Sequence, residues 1–176
     1  MNKIELKNEM TIREAVPEDA AQLLTLSKSV MEEEHYMVTR IEELNITIDE
    51  EKEWIEEHLD NPGFALFVAE INTRVVGFIN FTNGERKSIE HRGSFGVSVE
   101  KNMRGLGIGK SLIKNLLEWA RNNIIIEKVG LSVFADNYRA IQLYKRIGFV
   151  EEGRRKNEIK KANGEYVDDI LMHMFV

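Results

Sequence analysis

The run Val99-Glu100-Lys101-Asn102-Met103-Arg104-Gly105-Leu106-Gly107-Ile108-Gly109-Lys110 breaks a strand-like segment into a glycine-rich turn and opens an amphipathic helix. Gly105, Gly107 and Gly109 reach backbone angles closed to other residues and leave no side chain between the amide N–H groups and a ligand. The first amides of the following helix have no intrahelical partner, and the helix dipole adds partial positive charge there. Such a turn suits a phosphate or pyrophosphate.

Spacing separates three readings of this turn. A P-loop needs Gly-x-x-x-x-Gly-Lys-Ser, and Gly109-Lys110-Ser111 supplies its second half, but position 104 is Arg where the first Gly belongs. A dinucleotide fingerprint needs Gly-x-Gly-x-x-Gly, and Lys110 stands where the third Gly belongs. Arg-x-x-Gly-x-Gly is filled without exception by Arg104-Gly105-Leu106-Gly107-Ile108-Gly109. This resembles the pyrophosphate-binding motif of the GNAT superfamily of acyl-CoA-dependent N-acyltransferases. Further along, Asn137-Tyr138-Arg139-Ala140-Ile141-Gln142-Leu143-Tyr144-Lys145-Arg146-Ile147-Gly148-Phe149 is similar to the family's other signature, Asn-x-x-Ala-x-x-Leu-Tyr-x-x-x-Gly-Phe, at every fixed position. The closing segment, with Gly148-Phe149-Val150-Glu151-Glu152-Gly153 and Gly164-Glu165-Tyr166-Val167-Asp168, resembles the branch of ribosomal-protein N-terminal acetyltransferases and their relatives acting on small amines.

Length and composition agree with one domain over 1–176, its folded core about 10–175: 176 residues with 43% apolar content suffice for one sizeable core and are short for two. The formal charge of -6 gives no electrostatic footprint for nucleic acid. There is no cysteine, hence no disulfide, thiolate nucleophile or Cys-based zinc site, and the four His show no ligand spacing, so no metal is expected. The charged N-terminus does not read as a signal peptide, and no run approaches the roughly 20 apolar residues of a membrane span. The expectation is a cytoplasmic protein without a membrane partner.

The periodicities predict a strand over residues 10–16, ended at Pro17, and a helix with Ala20, Leu23, Leu24 and Leu26 inward. Residues 31–48 read as a helix end followed by a loop. A second helix over 49–59 turns Trp54, Ile55 and Leu59 inward. Residues 64–71 and 74–81 form a hairpin across Asn72-Thr73, its first strand so continuously apolar that both faces must be covered. Residues 83–92 are the longest expected loop. A strand at 94–99 feeds the glycine turn, a helix follows over 106–122 and a strand over 128–133. The helix 138–147 has Asn137 as N-cap and Gly148 as its stop. A hairpin of 149–160 and 166–175, turning at Asn163-Gly164, closes the chain. This order implies an α/β fold of mixed sheet with helices on both faces. The resemblance specifies a mostly antiparallel sheet of six to seven strands with one splayed parallel pair.

Alternation puts Gly96 and Ser98 on one face of their strand and Val97 and Val99 on the other, and Gly130 and Ser132 opposite Val129, Leu131 and Val133. Such small-residue stripes suit either close helix packing or a ligand. The resemblance implies that these two strands part and that the pantetheine arm of acetyl-CoA lies between them, on the backbone of Val97, Ser98 and Val99. It implies that Arg104, Gly105, Leu106, Gly107, Ile108, Gly109 and Lys110 hold the pyrophosphate, and that Asn137 and Ala140 complete the cofactor-binding set. Ser111 is either a further contact or a solvated first-turn residue. Tyr144, one turn beyond Ala140, points inward; a buried Tyr fills core and bonds a carbonyl, whereas the resemblance makes it the proton donor to the departing thiolate.

The implied reaction is direct acetyl transfer from acetyl-CoA to a primary amine (a small amine, an amino acid or a protein N-terminus) through a tetrahedral intermediate. An ammonium cannot attack, so a base must take its proton. Glu32, Glu33, Glu34, Glu90, His91 and Glu100 are the candidates, and sequence does not choose among them. The acidic run at 32–34 suggests a cationic acceptor. The alternatives are a non-catalytic acyl-CoA-binding or sensing domain and, against the Arg104 spacing, a nucleotide-binding protein. Exposed sheet edges near both ends make a homodimer an expectation.

Overall fold

The computed structural model describes residues 9–33 and 36–176. Seven strands form one sheet: β1 (Met10–Glu14), β2 (Ala65–Ile71), β3 (Arg74–Asn83), β4 (Arg92–Val99), β5 (Lys128–Phe134), β6 (Val150–Lys160) and β7 (Tyr166–Phe175), in the order β1-β2-β3-β4-β5-β7-β6. Every neighbouring pair is antiparallel except β4 and β5. The helices are α1 (Ala20–Met31), α2 (Ile48–Asp60), α3 (Ile108–Asn122) and α4 (Tyr138–Ile147). None of them is long and apolar enough to cross a membrane.

The two faces of the sheet carry separate cores. Leu66 and Val68 of β2 pack with Leu23 and Leu26 of α1 and Ile55 of α2, while Phe67 and Ala69 of the same strand pack with Leu112, Ile113 and Leu116 of α3. The near-continuous apolar run of β2 is thus explained by cover on both sides. Ile141 and Tyr144 bring α4 onto the α3 face, against β5 and β7.

Several boundaries differ from expectation for physical reasons. The helix α2 starts one residue earlier because Thr47 caps it: its Oγ1 accepts from Glu50 N (3.2 Å), and its own N donates to the Glu50 carboxylate (2.8 Å). Leu59 is not inward but 44% exposed; the buried stripe runs through Glu51, Ile55 and His58, and the next residue lies about 100° further round the helix. The loop expected over 83–92 is shorter, because β3 runs to Asn83 and β4 starts at Arg92, and Gly84 N donating to the Arg92 carbonyl (3.0 Å) tightens it. The helix α3 starts at Ile108 rather than Leu106, because Gly105 (φ 86) and Gly107 (φ 99) hold left-handed angles that end helical geometry before it.

Candidate active site

The parallel ladder between β4 and β5 is short. It pairs Arg92 with Lys128, Gly93 with Val129 and Ser94 with Gly130, and then stops although both strands continue, to Val99 and Phe134. Two glycines permit the close packing at this end: a Cβ at Gly93 would lie 2.3 Å from the Thr82 carbonyl oxygen and 2.4 Å from the Phe81 ring of β3, and across the parallel pair a Cβ at Gly130 would lie 3.2 Å from the Gly93 carbonyl oxygen. Beyond Ser94 no strand lies alongside β4 on that side, and the gap belongs to a cleft of about 1820 Å³.

At one mouth of the cleft sits the glycine turn. Gly107 caps α3, with nothing within 4 Å of where its Cβ would stand, so the space above the turn is open. Gly109 differs, since a Cβ there would make only ordinary contact with Val99. The first helical bond, Ser111 N to the Gly107 carbonyl (3.0 Å), leaves the preceding amides of the first turn without intrahelical partners. Leu106 turns away from the cleft and packs on the core.

Arg104 lines the cleft but its side chain is held. Nε donates to the Val99 carbonyl (2.9 Å), and Nη1 and Nη2 form a two-pronged pair with Glu33 (2.9 and 2.7 Å). The guanidinium therefore ties the end of α1 to the end of β4, a contact between residues far apart in sequence. Val97, Ser98, Val99, Lys110, Asn137, Ala140 and Tyr144 also line the cleft, so every expected site residue except Leu106 is gathered there.

Asn137 caps α4, its Oδ1 accepting from Ala140 N (3.2 Å). This places Tyr144 inward, 8% exposed, with its ring edge-on to Phe95 (6.0 Å) and Phe149 (6.1 Å). Among the described residues its hydroxyl finds no carbonyl or other hydrogen-bond partner, and the residue borders the cleft. Burial pushes the Tyr144 phenol up to about 12, so it stays protonated at neutral pH.

The base candidates scatter. Glu33 reaches the cleft but is bound to Arg104; Glu100 pairs with Arg74 (3.1 Å) and Glu90 with Lys87 (3.1 Å). Glu32 is exposed, His91 uses its backbone carbonyl to receive Glu127 N and Lys128 N, and Glu34 lies outside the described residues. The cleft also holds residues that the motifs did not reveal: Asn80, Arg92, Phe134, Asp136, Glu152 and Arg155. Just behind it Asp169 is 4% exposed, and burial holds its carboxyl above the usual range. Most of these lie on strands that pairing, not local sequence, brings to the site.

The site thus combines a gap between parallel strands, a glycine turn with open space above it at one mouth, and a phenol that has no hydrogen-bond partner among the described residues. The chain belongs to the acetyltransferase (GNAT) family, whose model matches residues 28–149, and acetyl-CoA is its acyl donor. It is 34% identical over 119 residues to L-amino acid N-acetyltransferase AaaT of Escherichia coli (strain K12), covering 68% of this chain and 73% of that protein. Among solved structures, an acetyltransferase of the GNAT family from Streptococcus pneumoniae superposes with a TM-score of 0.92 at 27% identity, over 96% of this chain and 100% of that one. Ribosomal-protein-alanine N-acetyltransferase from Brucella melitensis gives 0.84 at 27% identity, over 94% and 99%.

Proposed function

We propose that the chain transfers an acetyl group from acetyl-CoA directly to a primary amine, with Tyr144 as general acid. The neutral amine attacks the thioester carbonyl, forming a C–N bond and a tetrahedral intermediate. Collapse breaks the C–S bond, and the departing thiolate takes the phenolic proton of Tyr144. The proton lost by the amine leaves through water and restores the phenol, so no acyl-enzyme is needed. In this reading the exposed edge of β4 at Val97, Ser98 and Val99 bonds the pantetheine arm as an added strand would, and an amide there polarises the thioester carbonyl. The amides at 108–110 receive the pyrophosphate.

The observation that carries the reading is the Tyr144 hydroxyl, kept protonated by burial and, among the described residues, left without a hydrogen-bond partner beside the gap. A structural Tyr so deeply placed spends its hydroxyl on a carbonyl. Calorimetric titration with acetyl-CoA, CoA and ATP is the first test, followed by thiol release with an amine panel. Binding of acetyl-CoA but not ATP is expected. Tyr144→Phe should lower kcat by about 100-fold, at the low end of general-acid effects, while acetyl-CoA still binds. Binding without turnover by the parent protein on any amine would instead leave a sensing domain.

A further inference from the structure

The cleft carries a charge that the acetyl donor leaves unused. Resting on the acetyltransferase reading above, we propose that the acceptor is a primary amine that also bears a carboxylate, in its simplest form an α-amino acid, and that Arg92 holds that carboxylate.

Arg92 and Lys128 are register partners at the closed end of the parallel pair. Two residues on, ~7 Å along the strand, the ladder ends at Ser94 and Gly130 and the gap opens. Alternation puts 92, 94 and 96 on one face of β4 and 128, 130 and 132 on one face of β5. Between the two basic residues and the gap this face carries only Ser94, Gly96, Gly130 and Ser132, a low floor on which a small substrate fits. An amine one or two bonds from a carboxylate at Arg92 therefore points towards the gap, where the thioester is to lie.

The described carboxylates of the cleft already face cations, whereas Lys101, Lys110, Arg139 and Arg146, which also line it and have no ion pair among the described residues, lie by the glycine turn and on α3 and α4. Glu33 is bound to Arg104, Asp136 to Lys161, and Glu152 to Lys128 at 2.5 Å, with His173 Nδ1 at 3.5 Å from the same carboxylate. Arg155 lies 3.7 Å from both Asp169 and Glu158. At the closed end of the parallel pair Arg92 is exposed in the cleft; its charge acts on the Glu152 carboxylate, but among the described residues its side chain forms no hydrogen bond or ion pair. Its planar guanidinium is shaped to take a carboxylate through two parallel bonds. A polyamine would bring like charge against Arg92 and Lys128, and Glu33, Asp136 and Glu152 each already face a cation, with the buried Asp136 Oδ1 left without a hydrogen-bond partner among the described residues. A peptide N-terminus carries a neutral amide where an amino acid carries its carboxylate, leaving the guanidinium unmatched. Within the acidic run at 32–34, Glu33 serves Arg104.

The experiment is steady-state thiol release with acetyl-CoA and the L-amino acids, their amides, the corresponding decarboxylated amines, spermidine and short peptides. Parent protein, Arg92→Ala and Arg92→Lys are compared, and acetyl-CoA calorimetry checks that each variant is folded. The best amino acid should exceed its own amide by about tenfold or more in kcat/KM, as a charged hydrogen-bonded contact implies. Arg92→Ala should raise KM for the amino acid by a similar factor and close the gap between acid and amide; Arg92→Lys should restore part of it. The proposal is overturned if amides, spermidine or peptides are acetylated as well as amino acids, or if Arg92→Ala lowers acid and amide alike. Those outcomes leave the acetyltransferase reading standing. Acetyl-CoA binding with no thiol release from any amine removes that reading and this proposal together.

Discussion

Gly93 and Gly107 do different work, and substitution separates them. At Gly93 the obstacle is space: a methyl group would meet the Thr82 carbonyl and the Phe81 ring well inside contact distance. Gly93→Ala should lower stability by about 1–3 kcal/mol, the usual range for overpacking. For a chain of this length that is a fall in Tm of roughly 2–4 °C per kcal/mol, read by calorimetry. At Gly107 there is room, but φ of 99° is unfavourable for any side chain. Gly107→Ala should cost about 1–2 kcal/mol in stability and also weaken acetyl-CoA binding, because its Cβ would project over the open turn. The glycine turn was legible in sequence as a motif, and so was Gly107. Gly93 was not, because its reason lies across the β3–β4 ladder, in the residues opposite it.

At the scale of elements, α2 shows how a polar residue takes a core position. His58 is 4% exposed between the rings of Trp54 (4.4 Å) and Phe64 (5.3 Å); Nδ1 donates to the Trp54 carbonyl (2.8 Å), and Nε2 has no hydrogen-bond partner among the described residues. Burial lowers its pKa below the ordinary 6.5, so the folded protein keeps the ring neutral where the unfolded chain would protonate it. The unfolded state then binds more protons, and stability contributed here is full above pH 6.5 and falls as pH drops through the folded value. His58→Leu should flatten that part of the stability–pH curve and raise stability at pH 5.5, measured by urea unfolding across the range. Tyr144 on α4 has the opposite sign: its folded value of about 12 against an ordinary 10.0 means stability is full below pH 10 and lost as pH rises towards 12. Tyr144→Phe should remove that alkaline loss. The helix itself, its Asn137 cap and its Gly148 stop were all readable, because caps and apolar period are local signals. Leu59 misled because an apolar residue and a histidine one position apart compete for the same stripe, and only packing against Trp54 and Phe64 decides between them.

Across the whole molecule the sheet is two units, β1 to β4 and β5 to β7, joined by three register pairs of one parallel ladder. A donor lying in the gap and bonded by both sides stabilises the folded state by mass action, about 2.7 kcal/mol at a hundred times its Kd. Acetyl-CoA at that concentration should raise Tm by roughly 5–10 °C, and hydrogen exchange should slow at 95–99 and 131–134 together. At one sheet edge β6 is almost wholly exposed and studded with Glu151, Glu152, Arg154, Arg155, Lys156, Glu158 and Lys160, the charged surface by which edge strands resist pairing. The strand and helix order, the glycine turn, the Asn137 to Phe149 helix and the family itself were determined by sequence alone, since each is a pattern within one continuous segment. The tertiary structure decided that Arg104 clasps Glu33, that the β4–β5 ladder stops at Ser94, and that among the described residues the Tyr144 hydroxyl has no hydrogen-bond partner and Arg92 no ion pair. Each of these depends on which distant segment lies alongside, and that is fixed by strand register and core packing together.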